Sequence, residues 1–323
     1  MQAVVLTDSL MPSSHDTTLL VHAMTLPERI PLLLAAHACV PRLRVELLVR
    51  RRHEHHCSTA VQNAKARGWC GAGCSCVAAH AEPSHMHLNI AAAATGERDM
   101  LYAHADMLVN ISALLSSLTG RASTASPLDG LMMRGVGRIP SKCIPIAQMT
   151  SCRGSGDYNY TCDGHRWWWW SRSDKACRMA GALLGLDACC YGWSDFVFLP
   201  ARSQATFRRL ATGGRSHAIH GVDEGLDADF KRDDLRAVMH EVAIPTILHH
   251  MRLQRWGGVP WQRVRCAGAC CDKVRATEMT GGPLLCAHKV PLPALTTRRW
   301  SPPFRGFFEH SCEPTRSAGW FQA

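Results

Sequence analysis

The residues from Asp99 to Leu115, Asp-Met-Leu-Tyr-Ala-His-Ala-Asp-Met-Leu-Val-Asn-Ile-Ser-Ala-Leu-Leu, combine types and spacing that could do chemistry. Met100 to Ala103 is a short apolar run of buried-strand composition, and His104-Ala105-Asp106 breaks it. Asn110 and Ser112 then precede Ala113, Leu114, Leu115 and Leu118, which read as the start of a helix. A carboxylate at the C-terminal end of a buried strand, just ahead of a helix, stands where open α/β sheets place ligand chemistry. Hard cations such as Mg2+ and Mn2+ take carboxylate oxygen and sit against phosphates. Asp106 is therefore expected to help hold a metal–diphosphate. The competing reading is an ordinary strand-end loop in which the Asp caps or turns the chain.

Two further pieces join it. His240-Glu241-Val242-Ala243-Ile244-Pro245 puts an acid at the opening of an apolar helix, and His288 follows a short apolar run near the end of the patterned chain. Arg134 and Arg138 lie in the loop expected after the central helix, where they could neutralise phosphate oxygens or simply be solvated.

Positioning these groups takes a folded α/β domain, and the composition allows one. With 323 residues, 46% hydrophobic and 19% charged, the chain is globular rather than disordered in type and long enough for a sizeable core. No stretch reaches the roughly 18 uncharged apolar residues of a membrane span. Met1 to Asp16 lacks a basic region followed by an apolar core, so no signal peptide or membrane anchor is visible. Either the protein is soluble as given, or an anchoring segment is missing from this chain. The net charge of +10 favours anionic partners without selecting one. Arg50-Arg51-Arg52 reads as a solvated basic loop, since no RNA-binding aromatic motif or zinc-finger spacing accompanies it, and no nucleic acid is expected.

The 16 Cys come in clumps, with Cys70, Cys74 and Cys76 after His53, His55, His56 and Cys57, and Cys266, Cys270 and Cys271 later. A structural zinc site wants paired C-x2-4-C elements, to which Cys70-x3-Cys74 is an irregular match. Disulfides in a secretory lumen fit the count equally well. Asn110-Ile-Ser112 and Asn159-Tyr-Thr161 would be glycosylation acceptors there, Asn159 in a polar loop being the better placed.

In chain order, Thr17 to Ala23 reads as a first strand, Glu28 to His37 as a helix opened by Pro27, and Leu43 to Val49 as a second strand. Strand, helix and strand within about 33 residues is a βαβ signature and predicts a parallel sheet. From Arg50 to Arg98 the pattern is lost, and the expectation is an irregular insertion or loosely helical segment. Gly120 to Gly137 reads as loop, Ile144 to Met149 as a strand, Ser151 to His165 as a surface or lid-like loop, and Arg172 to Leu184 as a helix. Trp167 to Trp170 cannot all face one way from a helix or strand, so they divide between core and surface or form a stacking platform. Asp195 to Leu199 is a buried strand stopped by Pro200, and Ala201 to Ala211 an amphipathic helix with Phe207 and Leu210 inward. A helix from Leu235 to Met251, capped by Asp233 or Asp234, should kink or restart at Pro245. Pro293 to Ala323 lacks periodicity and reads as a tail.

Taken in order, these motifs resemble a nucleotide-sugar-dependent glycosyltransferase of the GT-A fold, most like the exostosin-type and related eukaryotic branches. Thr17 to Leu34 resembles the opening strand and helix that contact the nucleotide, and Leu101 to Leu114 the strand with the acidic metal motif. Asp195 to Leu199 and His240 to Thr246 resemble the acceptor-side strand and the later acidic helix start. The resemblance implies an α/β fold with a mostly parallel central sheet flanked by helices, a catalytic domain over 17–292 with the 50–98 insertion, and tails at 1–16 and 293–323. It implies a nucleotide-diphosphate sugar donor, a glycan or protein hydroxyl acceptor, and Mn2+ or Mg2+. Asp106 would match the last acid of the metal motif, His104 stands where an earlier acid is usual, and His288 would be the late His closing the metal site. Glu241 would match the acid beside the acceptor, as general base or as orienter, with Val242 where a second acid is usual. Such an enzyme would work in the Golgi or endoplasmic reticulum lumen, the cytoplasm being the alternative. The other readings are a catalytically inactive relative, because His104 and Val242 replace acids, and a Cys/His metal-binding protein.

Overall fold

The computed structural model describes residues 17–25, 27–37, 43–68, 70, 73–109, 111, 130–136, 139–140, 142–145, 188–212, 239–253, 261–266 and 286–288. Apolar, β-branched runs make the first strands: β1 (Thr17–His22), β2 (Leu43–Val49) and β4 (Asp99–His104). β1 and β4 are buried almost along their whole length, the signature of strands covered on both faces. On β2 the alternating Arg44 and Glu46 turn outward and pair with each other at 3.0 Å.

Helices α1 (Ile30–His37) and α2 (Glu54–Ala66) carry the chain from β1 through β2 to β3 (Cys74–Ala78), and α3 (Met86–Ala93) returns it to β4. All four strands run parallel in the order β3-β2-β1-β4. The chain thus moves outward from β1 in one direction, then comes back to its other side. Right-handed crossovers put α1 and α2 on one face and α3 on the other. In keeping with this, α1 packs on α2, whereas α3 packs with α4 (Ala201–Ala211) and α5 (His240–Leu253).

The sheet continues beyond β4 through β10 (Phe196–Leu199), antiparallel to both β4 and β6 (Gly130–Val136). β11 (Trp261–Cys266) lies parallel to β6 at the edge, and β7 (Ile139–Pro140) pairs antiparallel with β6. Two small ladders stand apart, β5 (Leu108–Val109) with β12 (Cys286–Ala287), and β8 (Lys142–Pro145) with β9 (Ala188–Tyr191). The protein is therefore an α/β fold on a mixed, mostly parallel sheet. Among the described residues no helix is long and apolar enough to cross a membrane.

The segment 50–98 is not an irregular insertion. It holds α2, β3 and α3, and is the βαβαβ continuation of the parallel block. Its pattern is faint because the stripe that α2 buries, Cys57, Val61 and Ala64, is made of small side chains, and β3 is a short edge strand of Cys, Ser, Val and Ala. Disulfides Cys57–Cys76 and Cys70–Cys74 add ties that spacing alone left open. Gly130 to Val136, expected as loop, is β6, whose Gly-rich, Met-rich run takes its conformation from β10 and β11 on either side. The segment beyond Met251 supplies β11.

Pro245 neither breaks nor restarts α5, which is continuous from His240 to Leu253. A proline has no N–H for the carbonyl four residues earlier, that of Glu241. The Gly192 N–H donates to that carbonyl instead, at 3.0 Å. The exception to helical bonding thus anchors the segment that leads into β10.

Helix α4 is fixed to the start of β4 by side chains from both. The Ala201 N–H donates to Asp99 Oδ1 at 2.8 Å. Gln204 accepts from the Gly96 N–H at 2.9 Å and donates through Nε2 to the Arg98 and Leu199 carbonyls at 2.6 and 3.1 Å. Gly96 sits at φ 82°, a turn that a side chain would strain. Gln204 is buried, and of its main-chain partners Leu199 is buried, Arg98 half-buried and Gly96 exposed, so Gln204→Ala removes the tie between α4 and β4 and strands the Leu199 carbonyl from this donor. The expected loss is about 2 kcal/mol, read by urea unfolding, and a cost indistinguishable from zero would remove the bridge from the account of stability.

Candidate functional site at the β1–β4 switch point

Strand register brings three side chains into one row. β1 pairs with β4 so that His22 stands opposite His104. β10 pairs with β4 so that Phe196 stands opposite Ala103, which sets Asp195, one residue before, beside His104. The main chain closes the row: the His104 N–H donates to the Asp195 carbonyl at 2.9 Å, and the Ala105 N–H to the His22 carbonyl at 3.0 Å. Paired residues project from the same face of a sheet. The His22 and His104 rings meet edge-on at 4.1 Å with an 83° interplanar angle. This row lies at the carboxyl ends of β1 and β4, where the crossovers reverse direction. Open α/β sheets bind their ligands at that switch point.

Two more groups complete the cluster. His104 Nδ1 lies 3.0 Å from Asp106 Oδ1. An ionised carboxylate only accepts, so the imidazole proton that meets it is on Nδ1. The β5–β12 ladder sets Ala287 opposite Leu108 and delivers His288 to the same edge, with Cys266–Cys286 tying its strand to β11. His288 Nε2 lies 3.3 Å from Asp195 Oδ2, and the Trp193 ring packs at 5.7 Å from the His288 ring. From the β1–α1 connection, Arg29 Nη1 donates to the Ala105 carbonyl at 3.2 Å.

The charges follow from burial and these partners. Burial pushes the Asp195 carboxyl up, but the hydrogen bond and charge of His288, with His104 and His240 behind them, win and hold it below the usual carboxylate range. Asp106 balances the same way, burial raising it and the His104 hydrogen bond and charge bringing it below its ordinary value. Tyr102, one row deeper, is held well above its usual range by burial and by the Asp195 and Asp106 charges. Its hydroxyl has no hydrogen-bond partner among the described residues.

His22 is the opposite case. Both ring nitrogens are buried without a hydrogen-bond partner among the described residues. Burial, then the His104 and His240 charges, lowers its pKa well below the usual 6.5. A His that stays neutral when folded but binds a proton when unfolded makes the unfolded state the better proton acceptor, so stability falls as pH drops below the unfolded value. Between pH 6.5 and the lowered folded value, His22 is expected to cost up to about 1.4 kcal/mol per pH unit. His22→Phe removes that slope, and melting curves of both proteins from pH 7.5 to 5 check it. Parallel curves would show that His22 does not carry the effect.

Of the residues singled out from sequence, His104, Asp106 and His288 reach this edge. Glu241 is buried at the first turn of α5 and meets the segment leading to Asp195 through its main-chain carbonyl. Arg134 lies in β6, within the sheet rather than in a loop. Arg138, the Trp167 to Trp170 run, Asn110, Asn159, the expected helix at Arg172 to Leu184, the helix cap at Asp233 or Asp234 and both tails lie outside the described residues. His22, Asp195 and Arg29 join the site without having been singled out. The available signal was a lone His or Asp at the tip of an apolar run.

The donor set bears directly on Mn2+ or Mg2+. His104 and Asp106 bond to each other, and His288 is paired with Asp195. Their ligand atoms do not converge as a three-residue group. Among the described residues the group that does is Cys143, Cys190 and His249. The His104 hydrogen bond engages only Oδ1 of Asp106, but no three-residue set of ligand atoms converges there among the described residues, so these residues do not form a ready cage for a hard ion. The 53–76 clump is not a thiolate set either, because Cys57, Cys70, Cys74 and Cys76 are paired in disulfides. Arg51 and Arg52 are exposed, and Arg50 pairs with Glu82 at 3.2 Å. No protein-family model matches the chain, and no curated protein matches it.

Proposed function

We propose that this protein is a glycosyltransferase-like enzyme of GT-A type, binding a nucleotide-diphosphate sugar at the carboxyl ends of β1 and β4. The observation that carries the reading is the His22–His104–Asp195 row at the switch point of the β3-β2-β1-β4 block, with Asp106 oriented on His104. That strand order is the one on which α/β folds hold nucleotides.

In this reading the His104–Asp106 pair is the acid–base group. Asp106 fixes the ring and its tautomer and stabilises the imidazolium, while Nε2 accepts the proton of the acceptor hydroxyl. The acceptor oxygen then bonds to the anomeric carbon as the bond from that carbon to the diphosphate breaks. Arg29 and the basic chain supply positive charge toward the departing diphosphate. The buried Glu241 serves as support for the Asp195 segment in place of general base. No step requires a resident Mn2+ or Mg2+, although Asp106 remains the residue that would hold one. The disulfides Cys57–Cys76, Cys70–Cys74, Cys143–Cys190 and Cys266–Cys286 support an oxidising compartment such as the secretory lumen.

The test is thermal stabilisation by UDP, GDP and other nucleoside diphosphates, each with and without Mn2+. Ligand at one hundred times its Kd adds about 2.7 kcal/mol to folded-state stability. A rise in Tm that disappears in Asp106→Ala supports the donor site, and its dependence on Mn2+ decides whether a cation joins it. A cooperative melt unmoved by every nucleotide would sink the transferase reading.

A further inference from the structure

A second cluster lies in the β8–β9 ladder and shares no residue with the His104–Asp106 pair. Register sets Cys143 opposite Cys190, and their sulfurs form a disulfide. Helix α5 packs on β9 and grips it at that residue: Thr246 Oγ1 accepts from the Cys190 N–H at 3.0 Å and donates to the Cys190 carbonyl at 2.9 Å. His249 is three residues after Thr246, on the same side of the helix. The grip on Cys190 therefore sets the imidazole beside the two sulfurs. The two Sγ atoms and a ring nitrogen of His249 all lie within 4.8 Å of one another. Cys190 is buried, and Cys143 and His249 are half-buried.

We propose that this is a redox-gated site for a soft divalent cation, closed as the disulfide and opened by a small-molecule thiol. Two equivalents of the thiol reduce the Cys143–Cys190 bond, yielding two protein thiols and one small-molecule disulfide. The cation then displaces the two thiol protons and binds two thiolates and one neutral imidazole. Two thiolates and an M2+ ion sum to zero charge, so a half-buried position imposes little desolvation penalty on the finished complex. Zinc with sulfur ligands at about 2.3 Å in tetrahedral geometry separates its sulfurs by about 3.8 Å. Breaking the disulfide lets side chains on two paired strands adopt that spacing without rearranging the ladder. Two thiolates and an imidazole select Zn2+ over Mg2+ or Mn2+. Three protein ligands leave a fourth position for water, which the half-buried Cys143 and His249 side can admit.

The experiment uses the full chain and Co2+ as the probe, because thiolate-bound tetrahedral Co2+ shows a near-ultraviolet charge-transfer band and visible bands. Oxidised protein, anaerobically thiol-reduced protein, and reduced Cys143→Ser and His249→Ala are titrated side by side. Reduction frees other cysteines, so the measured quantity is the difference between wild type and variants. Reduced wild type should take up one equivalent more than reduced Cys143→Ser, bind at least tenfold more tightly at that equivalent than His249→Ala, and release it on reoxidation. Should Cys143→Ser fail to fold, His249→Ala keeps both sulfurs and the disulfide, and carries the comparison alone. Equal uptake with equal spectra in reduced wild type and His249→Ala would overturn the site. Undiminished binding by the oxidised protein would overturn the gating.

Discussion

Asp195→Ala is expected to destabilise the fold by about 2 to 3 kcal/mol, the cost of removing a buried carboxylate from the ring it faces. The Asp195 and His288 side chains are 9% and 2% exposed, so water cannot take the place of the missing carboxylate. Trp193 packs on the His288 ring and offers no anion. Removing both partners should cost less than removing Asp195 alone, since His288→Leu, Asp195→Ala leaves no stranded polar ring. A double-mutant cycle by urea unfolding measures the difference. The sign with pH is fixed by the lowered Asp195 pKa: the contribution is fully present above the unfolded carboxylate value of about 3.9 and is lost as pH falls through the folded value. The gap between wild type and Asp195→Ala should therefore hold from neutrality down to about pH 4 and close below it. A single-variant cost under about 1 kcal/mol would mean that the pair behaves as an exposed one.

The largest functional effect is expected from His104→Ala. In the proposed reaction its Nε2 receives the acceptor proton, and losing a positioned acid–base group lowers turnover by about 10²- to 10⁴-fold. Asp106→Asn keeps the shape but can present an amide donor to Nδ1, which favours the opposite tautomer and places the proton where the lone pair is needed. Its turnover should fall nearly as far, with donor affinity changed much less. Glu241→Gln separates the two candidate bases. Turnover of a sugar nucleotide that survives Glu241→Gln and collapses in His104→Ala supports the dyad, whereas the reverse pattern would return the base to Glu241.

The two ends of the parallel block were legible for different reasons. β1, α1 and β2 are strongly apolar with a proline at the helix opening, and β10 ends at Pro200, so local signals agreed with the fold. In α4 the inward Phe207 and Leu210 are buried as their spacing predicts. α2 and β3 were not legible, because alanine, cysteine and histidine do not distinguish a faint helix stripe from a loop. β6 and β11 owe their strand form to each other, and a pairing partner distant in the chain leaves no trace in a local window. The site divides along the same line. His104 and Asp106 stood out because they interrupt an apolar run and are near neighbours in sequence. His22 and Asp195 became part of the site through register with β4, which depends on strand order. His288 was expected beside Asp106 as a metal ligand, and the β5–β12 ladder brings it to that edge, with Nε2 3.3 Å from Asp195 Oδ2.

The order in which the cluster's members occur along the chain also dictates when it can exist. Domains are made from the N-terminus at about 5 to 20 residues per second, and folding begins during synthesis. β1 to β4 leave the ribosome before β10 and β12, so His22, His104 and Asp106 can face one another while those later strands are still unmade. Asp195 then arrives with β10, an acid entering a partly built apolar layer, and its counter-group follows only with β12. During that interval the half-built sheet carries the Asp195 carboxylate without its His288 partner. Emergence of β12 and its pairing with β5 end the interval, since that strand delivers His288 to the edge. The nascent chain therefore stays incomplete at this edge until β12 has been translated.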